Sequence, residues 1–135
     1  MVAIIIGTHG NFSEELVRSS EMIFGKQSNV SYITFKQGEG LEELAAKYNV
    51  AMDQLYTDDG VLFMVDLFGG SPYNAASMIA LKNENMDVVT GVNLPMLIET
   101  FESMSFSTVK ELKDVAITAG LASIKSLKDT KGNNL

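Results

Sequence analysis

Cysteine and tryptophan are absent from this chain of 135 residues, histidine occurs once and proline twice. Without cysteine there is no disulfide, no thiol nucleophile and no thiolate metal site. One histidine among scattered carboxylates spells out no zinc-type ligand set, and no metal or other cofactor is expected. No apolar run approaches the roughly 18–20 residues that a bilayer-spanning helix needs. The first residues are apolar but lack a basic flank and a cleavage pattern, which argues against a signal peptide. The cytoplasm is the simplest compartment for such a chain. Basic residues are outnumbered, 10 against 17 acidic, for a formal charge of −7. That balance argues against a nucleic-acid partner. It suits encounter with a basic protein, although acidic soluble domains with no such partner are common. Three motifs are also missing. There is no Gly-x-Gly-x-x-Gly for a dinucleotide, no Gly-Lys-Ser/Thr of a P-loop, and no Gly-x-Ser-x-Gly nucleophile elbow.

What is present is a regular alternation of short apolar runs and helical patterns. The length suggests one domain, residues 1–135, and the 46% hydrophobic content supplies a core. Strands are predicted at Val2–Ile6, Asn29–Phe35, Val61–Val65 and Met86–Val92. The third is a continuous apolar run, as in a central strand covered on both faces. Helices are predicted from an Asn11 or Ser13 cap to about Phe24, over Leu41–Leu55, from Ser71 and Pro72 to about Leu81, and from Asn93, Leu94 and Pro95 through Ser103. A last helix runs from a Ser107 cap to about Ala119, with Gly120 ending it. Leu121–Lys128 reads equally as more helix or as a short strand. Order is expected over residues 1–128 and a tail over 129–135, with Lys131–Leu135 frayed. The β-α order implies an α/β fold in three layers, a doubly wound parallel sheet with helices on both faces; the strand order expected for it is 2-1-3-4.

In a sheet of that order, the loops after the first and third strands meet at the switch point, where ligands collect. The first loop carries His9, the only histidine, and the second carries Asp66 and then Leu67-Phe68-Gly69-Gly70-Ser71-Pro72. A carboxylate accepting from Nδ1–H leaves Nε2 of an imidazole unprotonated and nucleophilic. Gly69 and Gly70 let backbone N–H groups approach a ligand, and Ser71 adds a hydroxyl at the positive end of a helix, a site suited to a phosphoryl group. Each feature has a plainer reading by itself: a surface histidine, a turn-capping aspartate, a strand-to-helix turn. Their convergence on one crevice favours chemistry.

Three segments together carry a resemblance. Ile4-Ile-Ile-Gly-Thr-His9-Gly, Val61-Leu-Phe-Met-Val-Asp66-Leu-Phe-Gly-Gly-Ser-Pro-Tyr-Asn-Ala-Ala and Thr90-Gly-Val-Asn-Leu-Pro-Met-Leu, in that order, resemble the IIA component (EIIA) of mannose-family sugar phosphotransferase systems (PTS) over nearly the whole chain. The resemblance implies a phosphotransferase component that acts as a transient phosphohistidine carrier. The small carrier HPr would donate a phosphoryl group to Nε2 of His9, and a IIB component would accept it. The membrane components IIC and IID would then be served indirectly. By the same resemblance, Asp66 orients the imidazole, and Gly69, Gly70 and Ser71 cradle the phosphoryl group. It also implies a homodimer that exchanges a C-terminal antiparallel strand, which would account for Leu121–Lys128. Because the sequence stops at residue 135, the IIB component is expected on a separate chain. An apolar rim for docking is expected from Phe12, Phe35, Phe68, Leu94, Pro95 and Met96. Core burial explains Phe68 equally well, and helix initiation explains the Leu94-Pro95-Met96 turn. The competing functions are a non-catalytic anion-binding or regulatory module and the related phosphoryl donor of dihydroxyacetone kinase.

Overall fold

Alternation along two strands sets the architecture of the chain, which we describe over residues 1–130 from a computed structural model. In β1 (Ala3–His9) and β3 (Val61–Val65), every residue from Ala3 to Thr8 and from Val61 to Val65 is buried. Side chains of a strand alternate between faces, so these strands must be covered on both. Ile4, Ile6, Leu62 and Met64 enter one core with Leu16, Leu97, Phe101, Leu112 and Ala116. Ala3, Ile5, Val61 and Phe63 enter a second core with Leu44, Tyr48, Ala75 and Ala76. The helices divide accordingly. One layer holds α1 (Phe12–Phe24), α4 (Leu94–Ser103) and α5 (Val109–Ala122), and the other holds α2 (Leu41–Asp53) and α3 (Ser71–Ala80). With β2 (Val30–Phe35) and β4 (Met86–Val89), the sheet has the order β2-β1-β3-β4 and is parallel throughout. The predicted α/β class, order and three-layer arrangement are therefore observed. Among the described residues, no helix is long and apolar enough to cross a membrane.

Register brings the ends of strands together. Gly7 lies beside Val65, and His9 beside Phe35. Pairing with β2 carries β1 three residues past the predicted end, so His9 is the last residue of the strand rather than a loop residue.

Other boundaries shift for tertiary reasons. Asn11 holds the N-cap position of α1 but makes no side-chain cap bond. Thr8, reached from the preceding strand, takes that role: its Oγ1 accepts from the Ser13 N–H at 2.6 Å, while the Ser13 hydroxyl donates to the Ile33 carbonyl at 2.6 Å. The fourth strand stops at Val89, because the chain turns so that the Val92 N–H donates to the Val65 carbonyl at 3.0 Å. Thr108, not Ser107, caps α5, in a reciprocal pair with Glu111. Gly120 does not end that helix but lies inside it. There it allows close approach to α4: a Cβ at Gly120 would stand 2.9 Å from Cε of Met96. The Asn93 amide also donates to the Gly120 carbonyl at 3.3 Å. Leu121–Lys128 contains the end of α5 and the start of a short α6 (Leu127–Thr130), with no strand. The fraying expected at Lys131–Leu135 lies outside the described residues.

Candidate active site

Ala3, Ile5, Gly7 and His9 lie two residues apart along β1 and so face the same side, toward α2 and α3. At the open end of this column the His9 side chain is 44% exposed, and Asp66, one residue past β3, is 15% exposed. The two meet: Nδ1 of His9 lies 2.8 Å from Oδ2 of Asp66. The same Oδ2 accepts from the His9 backbone N–H at 3.1 Å, and Oδ1 accepts from the Leu67 N–H at 3.1 Å. Three donors thus fix the plane of the carboxylate. An ionised carboxylate can only accept, so Nδ1 is the donor in this contact, and in the neutral imidazole that tautomer leaves the lone pair on Nε2. On another side of the imidazole stands Phe35, with the ring centroids 5.5 Å apart and an interplanar angle of 76°.

The glycine loop closes over the imidazole edge. A Cβ on Gly70 would lie 2.9 Å from Cε1 and 3.6 Å from Nε2 of His9, so only glycine lets the backbone come this near. Gly69 has φ +81°, a conformation that glycine adopts without the usual side-chain strain. Gly70 is the N-cap of α3, which makes Ser71 the first helical residue and not the cap. Pro72 follows in the first turn and supplies no N–H. The N–H groups of Gly70, Ser71 and Tyr73 therefore lack carbonyls one turn back, and they lie at the positive end of the helix. Asn74 pins the loop: its side chain donates to the Gly69 carbonyl at 3.3 Å, and its N–H to the Gly70 carbonyl at 2.9 Å.

Below this layer Tyr48 is fully buried, and its hydroxyl donates to the Pro72 carbonyl at 2.9 Å. Burial, and secondarily the negative Asp66, raise the Tyr48 phenol above its ordinary range, so it remains a donor. In the sequence Tyr48 reads only as an apolar position of a helix. The available signal is Gly7, since a glycine inside a β-branched strand often marks a close approach. The roles of Thr8 and Asn74 are not marked by local pattern either: each depends on the exact course of the backbone between a strand and the helix that follows it.

The expected docking residues do not form one group. Phe35 touches the imidazole, and Phe12 is exposed at the start of α1. Phe68 is 79% exposed and stacks at a tilt on Tyr73, 4.8 Å between centroids, which removes the core-burial alternative. Pro95 is exposed, but it lines a groove between α4 and α5 with Glu99, Val115 and Ala119. Leu94, half-buried, opens α4. Met96 is buried in the core and cannot serve as a rim residue; Gly120 makes room for it. Among the described residues, no three His, Asp or Glu side chains converge to hold a metal.

An imidazole that offers Nε2 beside a helix N-terminus, with its Nδ1 turned to a carboxylate, can take and hold a phosphoryl group. Comparison with known proteins points the same way. The family described as "PTS system fructose IIA component" matches residues 3–117. The mannose-specific EIIAB component of Escherichia coli K12 is 45% identical over 94% of this chain. This chain spans only 40% of the length of that relative. The fructose-specific EIIA component of Bacillus subtilis is 41% identical over 83% of this chain and 77% of its own. The crystal structure of phosphotransferase system component EIIA from Streptococcus agalactiae superposes with a TM-score of 0.86 at 30% identity, covering 96% of this chain and 99% of that one.

Proposed function

Because the chain belongs to the family of PTS fructose IIA components, we propose that it is the phosphohistidine carrier of a mannose-family sugar phosphotransferase system, with His9 as the acceptor. The Nδ1–Asp66 contact of 2.8 Å carries the proposal, since it commits Nε2 to be the nucleophile. In the first transfer, the Nε2 lone pair attacks the phosphorus of phospho-HPr. The phosphorus–nitrogen bond to the donor histidine breaks, and its electron pair leaves with the donor imidazole. A positive ring on His9 faces the Asp66 carboxylate, and the equatorial oxygens face the N–H groups at the start of α3. Phosphoryl transfer depends mainly on such positioning and charge stabilisation. The second transfer repeats the chemistry toward the histidine of a IIB component, and IIC and IID receive its benefit indirectly. A cytoplasmic location accompanies these partners.

Incubation with labelled phosphoenolpyruvate, enzyme I and HPr tests the proposal. Acid-labile label on His9 is expected. An unlabelled protein would instead be an anion-binding module. Ser71→Ala should slow transfer about tenfold at most, roughly the worth of one hydrogen bond to a charged group. A rate equal to wild type would leave the backbone N–H groups as the whole cradle. Phe12, Phe35 and Phe68 form the apolar part of the docking surface in this proposal.

A homodimer that exchanges the C-terminal segment belongs to the same proposal. Among the described residues, the outer side of β4 has no strand partner. Leu121, Ile124 and Leu127 are at least 69% exposed, and the first two line one groove with Asp87, Val88 and Val89 of that strand. An open edge and unpartnered apolar side chains both favour association. Sedimentation equilibrium should give twice the chain mass, and deletion from Ser123 onward should give the monomer. A monomeric full chain would remove this part of the proposal.

A further inference from the structure

Tyr48 is the bulkiest wholly buried side chain among the described residues, and its hydroxyl is spent in one place. A buried phenol without a partner is costly. Phenylalanine would fill the same core without that demand. Here the hydroxyl reaches from α2 to the Pro72 carbonyl, in the first turn of α3, at 2.9 Å. That turn follows directly on Gly69, Gly70 and Ser71.

The ring is equally constrained on its other sides. It packs edge-on against Phe63, with centroids 5.2 Å apart and an interplanar angle of 84°. Its oxygen occupies the space left by Gly7, where a Cβ would lie 2.0 Å from Oη and 2.8 Å from Cζ. Gly7 and His9 are two residues apart on one face of β1. The Tyr48 oxygen thus lies between the strand that carries the imidazole and the helix start that carries the glycine loop. The loop has no slack against the imidazole, as the 2.9 Å from a Gly70 Cβ to Cε1 shows.

We infer that Tyr48 is a positioning residue for phosphoryl transfer: by holding the Pro72 carbonyl, its hydroxyl fixes the Gly69–Ser71 backbone against the Cε1–Nε2 edge of His9. The inference rests on the relay reading above. Tyr48 touches neither phosphoryl group nor partner, so its effect falls on the chemical step and not on docking. Misplacing a reacting geometry by 1 Å costs on the order of 100-fold in rate; the loss of one restraint is expected to cost about tenfold.

The test is Y48F, measured by rapid quench with phospho-HPr as donor. The expected result is a transfer rate at saturating HPr lowered about tenfold, with the half-saturating HPr concentration unchanged. The imidazole nitrogen shifts should still report a protonated Nδ1, which separates Tyr48 from Asp66. Installing 4-aminophenylalanine at position 48 restores an N–H donor and should return most of the rate. If Y48F does not fold, 4-fluorophenylalanine at the same position fills the space beneath Gly7 without donating and takes its place. A non-donating variant that transfers at the wild-type rate would overturn the inference. So would a slow variant that 4-aminophenylalanine fails to rescue, or a loss that appears only in the half-saturating concentration. An unlabelled wild type would remove the relay reading and this inference with it, whereas a labelled wild type confines any failure to Tyr48.

Discussion

Replacing His9 by alanine should leave no acid-labile phosphate on the protein after incubation with phosphoenolpyruvate, enzyme I and HPr. There is no second imidazole to take over, because the sequence holds one histidine, and no thiol, because it holds no cysteine. The fold should survive. The His9 side chain is 44% exposed, and its loss leaves the Asp66 carboxylate still accepting from the backbone N–H groups of residues 9 and 67. The loss of one partly exposed hydrogen bond to a charged group should cost about 1–3 kcal/mol at most. Thermal unfolding and a labelling gel read the two expectations separately. Label persisting on the variant would place the acceptor elsewhere.

Asp66→Asn should slow transfer by on the order of 100-fold or more, with the protein still folded. Both carboxylate oxygens accept backbone N–H groups, and Oδ2 accepts Nδ1 as well. An amide has one oxygen. If that oxygen stays toward His9, the amide nitrogen opposes the Leu67 N–H. If the amide flips, its nitrogen faces Nδ1, and the proton moves to Nε2, where it blocks the nucleophile. Either arrangement also removes the negative charge that faces the ring once it is phosphorylated. The opposed donors should cost about 1–3 kcal/mol of stability. Rapid-quench kinetics give the rate, and nitrogen shifts of the imidazole report the tautomer. A wild-type rate in this variant would end the argument that the carboxylate commits Nε2.

Much of this site was legible in the sequence because its parts sit at strand ends and glycine turns, which local pattern marks. His9 after an apolar run, Asp66 after another and Gly69-Gly70 before a helix are such marks. Their meeting followed from the strand order alone. The misplacements have physical causes of another kind. Ser71 looks like a cap because caps are small and polar, yet Gly70 takes the position. Met96 looks like a rim residue because it follows a proline turn, yet the missing side chain at Gly120 admits it to the core. Gly120 looks like a helix end for the same reason: its backbone freedom and its small size are indistinguishable in a sequence.

Element pattern alone indicated a parallel sheet between two helical layers, since β1 and β3 must bury both faces. The edge where the chemistry gathers followed once the order 2-1-3-4 was assumed, and the fold has that order. Packing decided the rest. It placed a carboxylate 2.8 Å from an imidazole nitrogen, let Thr8 and not Asn11 cap a helix, and put the Tyr48 hydroxyl under a glycine. The first and last of these contacts join residues far apart along the chain, and the second depends on where the first strand ends. All three distances depend on how whole elements settle against each other, which no local pattern encodes.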